Sequence, residues 1–124
     1  MRISSGVAKN KKIKSQKGRN VRPTMSRIKE AIFDIIRPYV ESSVFLDLFS
    51  GTGNMALEAL SRGAKRAVMI EKNGEAVSVI IENVNSMGFE DRCRAYKNEA
   101  SRAVEILSRK REIFDIIFMD PPYK

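Results

Sequence analysis

The 124-residue sequence contains no histidine and only one cysteine, Cys93. A single thiol cannot close an internal disulfide, and without histidine the chain has too few soft ligands for a zinc site. We therefore predict no bound metal. Histidine-based acid–base catalysis is excluded, so any chemistry must use carboxylates, backbone groups, Lys, Tyr, Ser or a bound cofactor.

Long hydrophobic runs are also missing from the sequence. No segment approaches the roughly eighteen apolar residues that a membrane-spanning helix needs, and no apolar stretch like that of a secretory signal follows the basic N-terminus. We therefore expect a soluble, cytoplasmic protein without a membrane partner. The length is that of one domain, and the 43% hydrophobic content is enough for one packed core.

Acidic residues are scarce in the first third of the chain. Residues 1–37 hold eleven Lys and Arg against two acids, a net charge of +9, whereas residues 38–124 are nearly neutral at −1. We predict a basic N-terminal arm over residues 1–24 that binds nucleic acid, and a globular domain over residues 25–124. A solvated tail that keeps the chain in solution is the alternative.

The rest of the chain alternates helical and strand patterns. Periodicity predicts helices at residues 26–37, 55–62, 76–87 and 100–109, and apolar runs predict strands at residues 44–49, 67–71, 92–96 and 114–119. In the first helix, which Pro38 should end, the predicted inward residues are Ile28, Ala31, Ile32, Ile35 and Ile36. Strands separated by helices cannot pair as hairpins, so we predict an α/β fold with a doubly wound, mainly parallel, Rossmann-like sheet.

Two polar groups follow the first two predicted strands, at the edge where open parallel sheets bind ligands. Asp47 precedes the loop Ser50-Gly51-Thr52-Gly53, in which glycines let the backbone turn tightly and approach a ligand. Glu71 ends the second strand, where a carboxylate can accept both hydroxyls of a ribose. A simple tight turn, and a salt contact between Glu71 and Lys72, are the structural alternatives.

A third group, Asp120-Pro121-Pro122-Tyr123, ends the fourth predicted strand. Consecutive prolines fix the backbone there, which sets the Asp120 carboxylate beside the Pro121 carbonyl. Two such acceptors suit the two N–H bonds of a planar amino group, and Tyr123 offers a surface on which an extruded base can stack. A turn with a buried tyrosine is the alternative.

These motifs resemble those of the class I S-adenosylmethionine-dependent methyltransferases that modify exocyclic amino groups. More narrowly, the chain resembles the bacterial small-subunit ribosomal RNA guanine-N2 methyltransferase family over residues 1–123, about the first two-thirds of a family member. The residues that carry this narrower resemblance are Met1-Arg2-Ile3, the stretch from Lys17 to Thr24, Arg27 and Lys29-Glu30-Ala31.

The resemblance implies a role for each matching residue toward S-adenosylmethionine or the target base. Glu71 would bind the ribose, and Glu99 stands where the family usually has Asp near the adenine. Arg22 and Thr24 match a motif that folds against the cofactor and target base, and Asp120, Pro121, Pro122 and Tyr123 match the catalytic, target-amine motif. The implied contacts around the methionine side of the cofactor are Asp47, Ser50, Gly51 and Gly53, with Phe49 and Lys72 as further cofactor-binding residues.

The implied reaction is direct displacement, in which a guanine amino nitrogen of 16S ribosomal RNA, free or in the small-subunit particle, attacks the sulfonium methyl group. Methylation of a ring carbon would need a cysteine nucleophile, and Cys93 lies away from the predicted site. The alternatives are a DNA amino methyltransferase, a non-catalytic fragment that only binds cofactor or RNA, and, more remotely, an NAD oxidoreductase. Because the family continues past Tyr123, we expect a sheet truncated after its fourth strand, whose unpaired edge favours dimers, swapped oligomers or aggregates.

Overall fold

The structure is a computed structural model that describes residues 1–16 and 23–122, with only the backbone at Pro23 and Thr24. Four helices and four strands alternate along the chain. They are α1 (Pro23–Val40), β1 (Val44–Asp47), α2 (Asn54–Ser61), β2 (Arg66–Glu71), α3 (Gly74–Met87), β3 (Cys93–Lys97), α4 (Ala100–Arg109) and β4 (Ile116–Phe118). None of the described helices is long and apolar enough to cross a membrane.

The four strands form one parallel sheet in the order β3-β2-β1-β4. The chain runs outward from β1 through β2 to β3 and then returns to the other side of β1 as β4. The direction of winding therefore reverses between β1 and β4, and ligands bind at such a reversal in open α/β sheets. The predicted doubly wound α/β fold is confirmed.

Apolar side chains alternate between the two faces of the sheet. Phe45 and Met69 face one cluster, which α1, α2 and α3 cover. Leu46 and Val68 face a second cluster, which α4 covers through Ala103. This alternation is the two-residue period of a strand, and it gives the sheet helices on both faces.

The sequence-based prediction for the end of the first helix is wrong. Helix α1 does not stop at Pro38 but continues to Val40. A proline in the last turn removes only one backbone hydrogen bond, and the burial of Val40, 2% exposed, holds that turn against the core. At the other end, Pro23 occupies the first turn, where its missing N–H has no partner to lose.

The predicted inward face of α1 is wrong for most of its residues. Ile28, Ala31 and Ile35 are exposed, with Ile35 at 76%, and only Ile32 and Ile36 are half-buried. The face that packs on the core carries Lys29 and Phe33 instead. Helix α1 therefore presents a row of exposed apolar side chains, namely Met25, Ile28, Ile35 and Tyr39.

The predicted basic arm needs a correction for its first part. Residues 1–14 fold back on themselves, with an antiparallel bridge between Arg2 and Lys12, and bury Ile3, Ala8 and Ile13 in the larger core cluster. These three apolar side chains are spaced widely among basic residues, so no periodic pattern reveals them. The boundary at residue 24 stays a prediction, because residues 17–22 lie outside the described residues.

A buried carboxylate on α2 binds the N-terminal segment and α1 together. Glu58 is fully buried, and its oxygens accept hydrogen bonds from the backbone N–H groups of Ser4 at 2.9 Å and Ser5 at 3.2 Å. It also pairs with Lys29 at 2.9 Å and Arg62 at 2.8 Å. Burial alone would raise the pKa of Glu58, but these partners outweigh burial and hold the pKa below its usual value.

We expect Glu58→Gln to lower the free energy of unfolding by about 3 kcal/mol or more, because it leaves the buried Lys29 ammonium without its counter-charge. The matched control is Glu105→Gln on the exposed face of α4. It breaks a pair with Arg109, which has the same four-residue spacing as the pair of Glu58 with Arg62. That change should cost less than about 1 kcal/mol. Chemical denaturation measures both, and equal losses would contradict the assigned role of Glu58.

Strand β4 pairs with β1 on one side and with no described strand on the other. Apolar side chains are exposed on this strand and directly after it: Ile117 is 54% exposed and Met119 is 64% exposed. We expect the 124-residue chain to self-associate through this edge. Light scattering should show species larger than a monomer, and Ile117→Lys should reduce them. A monodisperse monomer for the unchanged chain would contradict this prediction.

Candidate functional site

A cleft of about 680 Å³ opens at the carboxyl ends of the four strands. It lies where the winding of the sheet reverses, which is the expected position for a ligand in this architecture. Each strand contributes to it through the loop that follows. Its lining comprises Gln16 from the N-terminal segment, Leu48, Phe49 and Gly51 after β1, Glu71, Lys72, Asn73 and Ala76 after β2, Asn98, Glu99, Ala100 and Ser101 after β3, and Asp120, Pro121 and Pro122 after β4.

Asp47 is the last residue of β1 and is 1% exposed. Its Oδ1 accepts a hydrogen bond from the backbone N–H of Phe49 at 3.0 Å. Burial raises the pKa of Asp47 to about 7, and the negative charges of Glu71 and Asp120 act in the same direction. Asp47 therefore lies close to a cleft that already carries the negative charges of Glu71 and Asp120. This arrangement favours a positively charged ligand.

The loop after β1 turns sharply on two glycines with left-handed backbone, Gly51 at φ +58° and Gly53 at φ +86°. A Cβ on Gly51 would meet no atom within 4 Å, so that residue borders open space. A Cβ on Gly53 would lie 3.2 Å from the Met69 sulfur, and Gly53, the N-cap residue before α2, does not line the cleft. Ser50 is buried in the turn, where its Oγ donates to the Asp47 carbonyl at 3.2 Å.

Glu71 joins the first two loops through its carboxylate. Its Oε1 accepts from the Gly51 N–H at 2.9 Å, and its Oε2 accepts from the Asn73 N–H at 2.9 Å. Each oxygen keeps a further acceptor position for a ligand hydroxyl. Glu71 therefore makes backbone hydrogen bonds rather than the alternative salt contact with Lys72, which is exposed on the cleft wall.

The segment after β4 lines the same cleft as the glycine loop. Asp120 is exposed, and Pro121 is half-buried. The Phe118 carbonyl accepts from the Leu48 N–H at 3.1 Å, which ties the two loops together at their bases. The structure thus brings Asp120, Pro121 and Pro122 to the same cleft as Glu71 and Gly51.

The remaining predicted residues are placed as follows. Glu99 is the N-cap residue before α4, and its exposed side chain makes no capping hydrogen bond. Thr24 lies in the first turn of α1, where only the backbone is described. Arg22 and Tyr123 lie outside the described residues. The roles of all four toward a cofactor or base stay predictions.

The lone thiol takes no part in this site. Cys93 begins β3, at the opposite end of that strand from the cleft, and burial raises its pKa to about 11. A thiol with that pKa holds little thiolate at neutral pH, so it is a poor nucleophile. Within residues 1–16 and 23–122, no three of His, Cys, Asp and Glu group closely enough to hold a metal ion.

Gln16, Asn73 and Asn98 are among the cleft residues that were not predicted as site residues from the sequence. Asn73 carries a signal that could have been used, because an asparagine before a helical run is a favoured cap, and its Oδ1 accepts from the Ala76 N–H at 3.1 Å. Asn98 follows β3, and its N–H donates to the Glu71 carbonyl at 3.1 Å. Gln16 carries no sequence signal and reaches the cleft only through the path of the N-terminal segment.

Comparison with known sequences gives a match over the whole chain. The sequence model of a family described as "Conserved hypothetical protein 95" matches residues 1–124. "Putative rRNA methyltransferase YlbH" of Bacillus subtilis is 36% identical over 124 residues, which are 100% of this chain and 67% of that protein. "Ribosomal RNA small subunit methyltransferase D" of Escherichia coli K12 is 30% identical, with 100% and 61% covered. The chain therefore spans about two-thirds of the length of these relatives.

Two solved structures share this architecture. One, described as "Putative methyltransferase yhhF from Escherichia coli", is 31% identical with a TM-score of 0.86, and the match covers 100% of this chain and 65% of that one. The other, described as a SAM-dependent methyltransferase from Agrobacterium tumefaciens, is 25% identical with a TM-score of 0.69, covering 82% and 33%. The fold of this chain is that of class I methyltransferases.

The raised pKa of Asp47 makes stability depend on pH. Between about pH 4 and pH 7, Asp47 keeps its proton in the folded protein but has lost it in the unfolded chain. The free energy of unfolding should therefore fall by roughly 4 kcal/mol as the pH rises across that window. In Asp47→Asn the amide cannot ionise but still accepts from the Phe49 N–H, so this decline should disappear. Chemical denaturation at several pH values measures the free energy of unfolding. If it changes with pH equally in Asp47→Asn and in the parent protein, Asp47 does not have the raised pKa.

Proposed function

Because this chain belongs to the Conserved hypothetical protein 95 family, whose sequence model spans residues 1–124, we propose that it is an S-adenosylmethionine-dependent RNA methyltransferase. Its target is the exocyclic N2 amino group of a guanine in small-subunit ribosomal RNA. The observation that supports this proposal most strongly is that Glu71 and Asp120 line one cleft at the reversal of the sheet, and that the charges of both act on the buried carboxyl group of Asp47.

The residues of the cleft suit the chemical groups of S-adenosylmethionine. Asp47 and its neighbouring carboxylates favour a ligand that carries positive charge, as a sulfonium does. Glu71 has acceptor positions left for a ribose diol, and the open space beside Gly51 admits the ligand close to the backbone. The cofactor would supply a methyl group activated by the positive sulfur.

The segment after β4 would bind the target amine. The Asp120 carboxylate and the Pro121 carbonyl accept the two N–H bonds of a planar amino group, which leaves the nitrogen lone pair free to point into the cleft. This orientation is the main contribution of these residues, since positioning alone lowers the barrier of a two-substrate reaction. Asp120 can also take up the proton that the methylated amine releases.

The N-terminal segment supplies the surface for the RNA. Arg2, Lys9, Lys11 and Lys12 are exposed on residues 1–14, and their charges suit a phosphate backbone. Gln16, two residues after this segment, reaches the cleft. Ribosomal RNA bound by these basic residues would therefore lie beside the opening into which its base must enter. From this proposed substrate we infer a cytoplasmic location.

The proposal is tested by transfer of a radiolabelled methyl group to small-subunit ribosomal RNA, compared with duplex DNA. We expect label in guanine N2 of the RNA only. Label in DNA would favour the DNA amino methyltransferase. The assay should include this chain and a version extended to the length of the Bacillus subtilis relative. If only the extended version transfers label while both bind adenosylhomocysteine, this chain is the non-catalytic fragment.

We expect Asp120→Asn to lower kcat of the active form about a hundredfold, because the amide loses the negative acceptor that positions the amine. Adenosylhomocysteine binding, measured by calorimetry, should stay within about threefold of the parent. Glu71→Gln is the comparison, since it should weaken that binding by about tenfold through the lost charge-assisted hydrogen bonds. An unchanged kcat in Asp120→Asn would overturn its assignment to the target amine.

A further inference from the structure

Asn83 makes three hydrogen bonds from inside the protein. It lies on α3 and is 2% exposed. Its Oδ1 accepts from the Lys14 N–H at 2.8 Å, and its Nδ2 donates to the Lys14 carbonyl at 3.0 Å. The same Nδ2 donates to the Thr52 carbonyl at 3.1 Å. One amide group thus holds the N-terminal segment with two bonds and the glycine loop with a third.

The held carbonyl belongs to the middle residue of the turn that borders the cleft. Thr52 stands between Gly51 and Gly53, whose positive φ angles leave that turn with little intrinsic preference for one shape. On the cleft side, Glu71 accepts from the Gly51 N–H. The shape of the turn is therefore set by Glu71 on one side and by Asn83 on the other.

A second buried side chain makes the same connection at the other end of the turn. Lys29 Nζ donates to the Arg2 carbonyl at 2.9 Å and to Asn54 Oδ1 at 3.0 Å, and Asn54 is the first residue of α2. Residues 1–14 are thus connected to both ends of the turn, each time through one buried polar group.

We propose that Asn83 is a positioning residue that couples the docking of residues 1–14 to the shape of the cofactor loop. This inference rests on the proposed function, because it takes the cleft beside Gly51 as the cofactor site. Any ligand that favours the observed turn then favours the docked N-terminal segment, and the reverse holds by thermodynamic linkage. The cofactor would thereby stabilise the basic surface that binds RNA.

Only an amide fits this position chemically. Two donors and one acceptor are needed at once, and aspartate has no donor when ionised, whereas aliphatic residues have neither. Losing Asn83 leaves the carbonyls of Lys14 and Thr52 without their buried partner. Of the two connections between residues 1–14 and the turn, only the one through Lys29 would then remain.

The coupling is tested first in the unchanged chain by hydrogen exchange with and without adenosylhomocysteine. We expect the ligand to slow exchange of the Lys14 amide, which donates to Asn83, by about fivefold to tenfold. The Lys110 amide, at the far end of α4, is the internal reference and should change little. If adenosylhomocysteine binds but the Lys14 amide is unaffected, the coupling is overturned while the proposed function stands.

Asn83→Ala, with Asn85→Ala as the matched control, gives the second test. Asn85 is on the same helix but exposed. Below the melting temperature, Asn83→Ala should bind adenosylhomocysteine about fivefold to tenfold more weakly and lose the ligand-induced protection at Lys14, and Asn85→Ala should behave like the parent. A lower melting temperature with unchanged affinity would mean that Asn83 is merely structural. Failure of the unchanged chain to bind adenosylhomocysteine would overturn both proposals.

Discussion

A carboxylate buried in the core needs positive charge and hydrogen-bond donors around it. The packing of residues 1–14 and of α1 against α2 follows from that need. Glu58 has no access to water, so its partners must come from the chain. Lys29 meets it from α1, and the N–H groups of Ser4 and Ser5 meet it from the N-terminal segment. This one requirement turns α1 so that a lysine faces the core, and it fixes a basic segment against α2.

Two buried carboxylates in this fold have opposite electrostatic situations. The partners of Glu58 hold its pKa below the usual value, whereas burial and two neighbouring carboxylates raise the pKa of Asp47 to about 7. The first carboxylate is satisfied within the protein and serves stability. The second lacks a cationic partner among the described residues, and it lies beside the cleft. The contrast separates an acid whose partners all lie within the protein from one whose raised pKa is typical of functional sites, which agrees with the function that we propose.

Much of the fold could be predicted from local patterns. Apolar runs separated by helical periods are sufficient for a parallel sheet, and the boundaries of β2 and α4 match within a residue or so. The cleft residues Gly51, Glu71 and Asp120 could also be predicted, because carboxyl ends of parallel strands meet at one edge. The orientation of α1 could not, since Ile28 and Ile35 follow the helical period as well as Lys29 and Phe33 do. Periodicity identifies an apolar face of a helix, but it cannot predict that a buried acid on another helix requires a lysine on the inward face.

By itself, the sequence determined the order of the strands along the chain, the glycine turn, and the acids that end β1 and β2, because each depends on neighbours within a few positions. Tertiary structure alone decided that Ile3, Ala8 and Ile13 are core, that Gln16 reaches the cleft, that Glu58 and Lys29 are buried as a pair, and that Asn83 is buried against Lys14 and Thr52. These contacts join residues up to 69 positions apart. A buried polar group is stable only when its partners are in place, and those partners are set by the packing of whole elements rather than by local pattern.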